Sequence, residues 1–256
     1  YKKARIERGF IQLKKSLLAV LMALVLVVGV FAETWVVAGD FTFPPFTWDE
    51  TGKGDYMGYE IDLAEALAEE MGVELKLVNA AWSGLIPGLN NGNYDSLITA
   101  MTITEERMQA VDFSTPYISV GLVVVAKQNN NSINSLDDLK GKTVAVQIGT
   151  TGDLAATEMN GIKQILRYET APEAFQAVIN GIADASVMDG PVARDFIRQQ
   201  PKLLKVVVPE FTEELYGVVV KKGNKALLDK INDALKALEE KGVLDKIYND
   251  WFGVSE

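Results

Sequence analysis

Thr99-Ala100-Met101-Thr102-Ile103-Thr104-Glu105-Glu106-Arg107 follows a short strand-like run, Tyr94 to Ile98. The chain is expected to leave a sheet there, turn, and start a helix at Thr104, whose hydroxyl suits an N-cap with Glu105 and Glu106 in the first turn. Two hydroxyls, exposed backbone N–H groups and one guanidinium then sit at the carboxyl end of a strand, where open α/β sheets bind ligands. Arg107 can meet a carboxylate with two parallel N–H bonds, each worth about 1.5–3 kcal/mol, and an α-carboxylate would suit it. Taken alone, these nine residues fit better with a plainer arrangement, a capped helix with Arg107 paired to a Glu of its own turn.

Other chemistry-bearing residues fall at similar junctions. Trp35 to Ala38 reads as a buried first strand, followed by Asp40 and a loop stiffened by Pro44-Pro45 that holds Phe43 and Phe46 out of regular structure. Those rings can cover an apolar ligand stem or fold back onto the core. Trp82 opens a short helix at a loop. Gly149-Thr150-Thr151-Gly152-Asp153 joins a strand to a helix, so its N–H groups and hydroxyls face an anion or simply cap the helix. Asp189 ends the apolar run Ala185 to Met188, where an α-ammonium would satisfy its carboxylate. Tyr59 to Met71 reads as an amphipathic helix stopped by Gly72, with Glu60, Asp62, Glu65, Glu69 and Glu70 expected to face water.

The order of elements sets the architecture. Strands at Thr143 to Gln147, Gln164 to Tyr168 and Ala185 to Met188 alternate with helices from Thr151, over Ala171 to Asn180 and over Pro191 to Gln199, which argues for an α/β layer with a mostly parallel sheet. Two apolar strands far apart in sequence, about residues 122–126 and 215–220, are expected to cross between this segment and the remainder as a hinge. The expected division is therefore 33–121 plus 218–256 as a discontinuous first lobe and 126–214 as an inserted second lobe.

Lys2, Lys3, Arg5, Arg8, Lys14 and Lys15 precede the apolar run Leu17 to Phe31, and Val30-Phe31-Ala32 fits a small-residue cleavage rule. Residues 1–32 read as a signal peptide, with an uncleaved membrane anchor as the alternative. The leader holds six of the chain's 25 Lys and Arg and one of its 35 Asp and Glu, so the remainder carries a net charge of −15. Nucleic acid and anionic membranes would repel it. The sequence contains no Cys and no His, which removes lipid anchoring through Cys, disulfides, thiolate metal sites and the usual acid–base side chain. The Walker lysine and the Gly-x-Gly-x-x-Gly pattern are missing, so no nucleotide cofactor or metal is expected.

Six stretches, Gly39 to Phe46, Gly58 to Leu63, Trp82 to Pro87, Met101 to Arg107, Val144 to Thr151 and Ala183 to Asp189, occur in the order found in the polar amino-acid-binding proteins of ABC importers, the family 3 solute-binding proteins. From about Thr34 to Phe252 the chain resembles that family, and within it glutamine- and arginine-binding members. The resemblance implies a two-lobed type II periplasmic-binding fold, a soluble periplasmic monomer, a free L-amino acid in the interlobe cleft and a membrane permease as partner. It implies ligand-binding roles for Asp40, Phe43, Phe46, Trp82, Thr99, Ala100, Met101, Thr102, Arg107, Gln147, Thr150, Thr151 and Asp189. Arg107, Thr102 and the N–H groups near Ala100 and Thr151 would hold the α-carboxylate, and Asp189 the ammonium. Phe43 and Trp82 would sandwich the stem, and Asp40 would meet its polar end. Gln147 and Met188 stand where some glutamine-binding relatives have Lys and His, and Thr47 stands where arginine binders often have an acid. The loop Ile148 to Asp153 favours arginine, with glutamine next. The rival is an exported cyclohexadienyl or arogenate dehydratase on the same fold, for which Asp40 or Glu60 could act as acid or base.

Overall fold

The computed structural model describes residues 33–253, so the expected signal peptide lies outside the described residues. The chain begins with β1 (Thr34–Gly39), three short strands β2 (Thr42–Phe43), β3 (Thr47–Asp49) and β4 (Tyr56–Met57), α1 (Tyr59–Met71) and β5 (Glu74–Asn79). A 3-10 turn at Trp82–Gly84 runs into α2 (Leu85–Asn90), followed by β6 (Ser96–Leu97), α3 (Glu105–Ala110) and β7 (Val111–Val120). The middle segment holds β8 (Leu122–Lys127), β9 (Thr143–Gln147), α4 (Thr151–Glu158), β10 (Gln164–Tyr168), α5 (Ala171–Asn180), β11 (Ala185–Asp189), α6 (Gly190–Gln199) and β12 (Leu204–Val208). The chain returns through β13 (Glu214–Lys221), α7 (Lys225–Glu240) and α8 (Val243–Phe252).

Two five-stranded sheets result, ordered β5-β1-β6-β13-β7 and β10-β9-β11-β8-β12. In each, the first three strands run parallel and the last two pairings are antiparallel. The parallel part comes from local βα units, which need a crossover helix. The antiparallel part comes from strands on either side of the lobe boundary. β7 and β12 are additions to the elements expected from the sequence. β7 is a ten-residue strand interrupted by Pro116 and mixed in polarity, and its pairing with β13 across about a hundred residues supplies what local pattern does not.

Packing follows the two periodicities. In β8, Leu122, Val124 and Ala126 join the core on one face of the second sheet, and Val123 and Val125 join the core on the other, so every residue of this apolar run is buried. On α1, Leu63 and Leu67 meet Trp35 of β1 and Ile231, Leu235 and Leu238 of α7, which brings the C-terminal helices back onto the first lobe. α1 stops where Gly72 turns left-handed at φ 68° and returns its N–H to the carbonyls of Ala68 and Glu69. Asp184 accepts the Thr143 N–H at 2.8 Å and ties the entrance of β11 to β9.

The chain passes between the sheets at Gly121 and again over residues 209–213. The passages touch: Leu122 N–H donates to Thr212 Oγ1 at 3.0 Å, Phe211 N–H donates to the Leu122 carbonyl at 3.0 Å, and a Cβ on Gly121 would lie 2.7 Å from the Thr212 carbonyl oxygen. Only glycine fits there.

Candidate functional site

The carboxyl ends of the parallel strands in both sheets converge. β1 leads to Asp40, β6 to the Thr99–Thr102 loop, β9 to the Gly149 turn, and β11 ends on Asp189. Between them lies a narrow cleft nearly filled by its own side chains, with a free space of about 10 Å³. Its lining comes from both lobes. Asp40, Phe43, Trp82, Thr99, Ala100, Thr102 and Arg107 stand on the first, and Gln147, Thr150, Thr151 and Asp189 on the second.

Arg107 is placed by the expected cap, since its N–H donates to Thr104 Oγ1 at 3.2 Å. Its guanidinium is not paired with Glu105 or Glu106. It donates from Nη1 to the Thr102 carbonyl at 2.9 Å and from Nη2 across the cleft to the Gly149 carbonyl at 3.2 Å, with Trp82 lying 5.3 Å from Cζ in a cation–π contact. Burial lowers its pKa from the usual value, and the charges of Asp189 and Glu214 pull it back up. A guanidinium held by two neutral carbonyls keeps its charge available for an anion.

Asp189 is 5% exposed and accepts a hydrogen bond from Tyr216 Oη at 2.7 Å. Burial raises its pKa to about 6, against the Tyr216 hydrogen bond; Glu214 adds to the rise and Arg107 opposes it. Asp40 is 4% exposed; Oδ1 accepts from Thr42 Oγ1 at 2.7 Å and Oδ2 from Gln147 Nε2 at 3.0 Å. Burial raises its pKa too, against the hydrogen bonds from Thr42 and Gln147. Among the described residues, neither acid has a Lys or Arg within salt-bridge distance.

Several expected contacts are already engaged. Thr99 Oγ1 accepts the Asp40 N–H at 2.9 Å, so this hydroxyl shapes the β1 end. Gln147 spends both amide hydrogens, on Asp40 and on the Glu169 carbonyl at 3.0 Å. Thr150 caps α4, accepting the Asp153 N–H at 3.2 Å and donating to the Gln147 carbonyl at 2.8 Å, while the first-turn N–H groups of α4 lack intrahelical acceptors. Asp153 accepts the Gly149 N–H at 3.0 Å and pairs with Arg167 at 2.9 Å, which fixes the turn.

Two expected ligand residues do not line the cavity. Phe46 is fully buried, packed against Tyr59, Tyr216 and Phe252 at 6.1, 5.4 and 5.5 Å, and is a core ring, not a cover. Met101 lies in the core with Leu85, Leu89 and Val111, because the alternation of the loop turns Ala100 and Thr102 toward the cavity and Met101 away. Glu60, expected in water, is 1% exposed. Tyr117, Glu169 and Tyr216 are further site-shaping residues that local pattern did not mark, since each reaches the site through long-range pairing.

A cavity closed between two α/β lobes, lined by unpaired charges of both signs and bridged by side chains from each side, defines a two-lobed ligand-binding protein. The model of the bacterial extracellular solute-binding proteins, family 3, matches residues 35–254, and the chain belongs to that family. It is 35% identical over 225 residues to the probable histidine-binding protein of Neisseria gonorrhoeae, covering 86% of this chain and 83% of the relative. Among solved structures it is similar to an ancestral arginine-binding protein bound to arginine (TM-score 0.83, 42% identity, 87% of this chain and all of that one). It is also similar to an ancestral arginine-binding protein bound to glutamine (TM-score 0.82, 43% identity, 86% and 98%).

Proposed function

We propose that this protein captures a free L-amino acid with a polar or basic side chain, arginine first and glutamine second, and hands it to the membrane permease of an ABC importer. The carrying observation is the charge pattern of the cavity: one guanidinium and two buried carboxylates with no ion-pair partners among the described residues. The complement is a molecule with one carboxylate and two cationic groups. Arg107 receives the α-carboxylate, with the Thr151 N–H and the Thr102 hydroxyl beside it, while the Ala100 N–H, expected from the sequence to join them, is already given to Glu60 at 2.6 Å. Asp189 takes the α-ammonium and Asp40 the guanidinium, with Phe43 and Trp82 along the stem. Each acid of the cavity lining has a binding role in this arrangement, which favours a carrier over a dehydratase.

Ligand bridges the lobes, so it favours the closed state through differential contacts. The lobes 33–121 plus 218–256 and 126–214 then turn about the passages at Gly121 and 209–213 and the adjoining strand segments 122–126 and 215–220. The mature protein works as a soluble monomer outside the cytoplasmic membrane after loss of residues 1–32. The test is thermal unfolding of the refolded, ligand-stripped protein against each free amino acid. A hundredfold excess over the dissociation constant adds about 2.7 kcal/mol and raises the midpoint. Arg107→Ala and Asp189→Ala should abolish the shift while keeping the fold. Either variant binding normally sinks the assignment.

A further inference from the structure

Glu60 stands at the start of α1, next to a site whose ligand chemistry does not use it. It is 1% exposed and has no cationic partner among the described residues. Its Oε1 accepts the Ala100 N–H at 2.6 Å and the Tyr117 hydroxyl, and its Oε2 has no hydrogen-bond partner among the described residues. Ala100 lines the cavity and is the one non-glycine residue with positive φ, 50°, among the described residues. Alanine disfavours that left-handed conformation, and the Glu60 carboxylate supplies the compensating charge-assisted bond. Geometry at the cavity wall therefore depends on a group behind it.

A second link runs to Asp189. Tyr117 and Tyr216 pack edge to face at 6.5 Å; the hydroxyl of the first meets Glu60 and that of the second meets Asp189. The groups facing Glu60 are Tyr117 from β7, Tyr216 from β13, Asp189 from β11 and its neighbour Tyr59 on α1, while Arg107 acts on Asp189. All of Glu60's facing groups are acids or phenols.

We propose that Glu60 is the positioning residue of the cleft: it holds Ala100 in its left-handed turn and, by facing Asp189, couples its own protonation to capture of the ligand's ammonium. This rests on the amino-acid reading above. Burial, with the Asp189 charge adding to it and the Tyr117 and Ala100 hydrogen bonds opposing, raises the Glu60 pKa to about 7. When an ammonium neutralises Asp189, the repulsion falls and Glu60 gives its proton to solvent. Capture near neutral pH then releases a proton, and affinity falls as the solution is acidified through that range.

Glu60→Gln keeps an oxygen for Ala100 and Tyr117 and removes the titration, whereas Glu60→Ala removes both. Arginine is titrated calorimetrically in two buffers of different ionisation enthalpy, which counts protons. The wild type should release a fraction of a proton at neutral pH and the Gln variant should release less. The Gln variant should bind within about threefold of wild type in mild alkali, and the Ala variant more than tenfold weaker throughout. Equal proton release from wild type and the Gln variant, or an Ala variant that binds like wild type, overturns the proposal. If no amino acid binds the wild type, the transport reading falls by itself and the ligand-free proteins decide the role of Glu60. The wild-type unfolding midpoint should then drop relative to the Gln variant by about 5 °C as pH rises from about 5 to 8; parallel profiles overturn the proposal.

Discussion

Replacing Asp40 by Asn separates the two leading ligands. The side chain is buried and anchored twice, by Thr42 Oγ1 at 2.7 Å and by Gln147 Nε2 at 3.0 Å. Asn can keep its oxygen toward Gln147, which has only donors to offer there, and turn its NH₂ toward the Thr42 hydroxyl, which rotates to accept. Ligand-free stability should therefore change by about 1 kcal/mol or less, a midpoint shift of about 2–4 °C. What is lost is charge. A guanidinium bonded to a carboxylate is worth about 1.5–3 kcal/mol, so arginine affinity should fall about 10- to 150-fold. Glutamine, whose amide can donate to or accept from Asn, should change by about threefold or less. Calorimetric titration of both ligands against wild type and variant checks this. Equal losses for arginine and glutamine, or no loss for arginine, would refute Asp40 as the partner of the side-chain tip.

Further outcomes follow from the same contacts. Asp189 must be ionised to hold an ammonium, so affinity is full above its folded pKa of about 6 and lost as pH falls through it. Tyr216→Phe removes a hydrogen bond that lowers that pKa, which should move the break upward by about 1–2 units; an unmoved break in an arginine titration series would rule out the Tyr216–Asp189 link. Gly121→Ala drives a methyl to 2.7 Å from the Thr212 carbonyl oxygen and 2.8 Å from Glu210 Cγ. It should cost about 1–3 kcal/mol, read as a lower unfolding midpoint. Phe175→Ala empties a fully buried site stacked on Phe196 at 4.6 Å and should cost about 3–5 kcal/mol by denaturant unfolding.

What the sequence by itself determined is local. The βα alternation of residues 143–199, the N-caps at Thr104 and Thr150 and the glycine stop of α1 are written in neighbouring residues, because caps and helical stripes involve residues three or four apart. The same locality put Asp40, Arg107, Thr151 and Asp189 at strand ends, where a parallel sheet gathers them. Tertiary structure decided the rest. The antiparallel β13 pairings with β6 and β7 join segments about a hundred residues apart and turn the parallel β5-β1-β6 unit into a mixed sheet, as β8 and β12 do for the second. Phe46 and Met101 follow loop-neighbour chemistry in sequence, yet long-range packing sends both to the core. Glu60 fits the polar face of an amphipathic helix, and only the arrival of Ala100 and Tyr117 from elsewhere in the chain buries it. A helix pattern records which residues share a face; the burial of that face depends on partners supplied by distant chain.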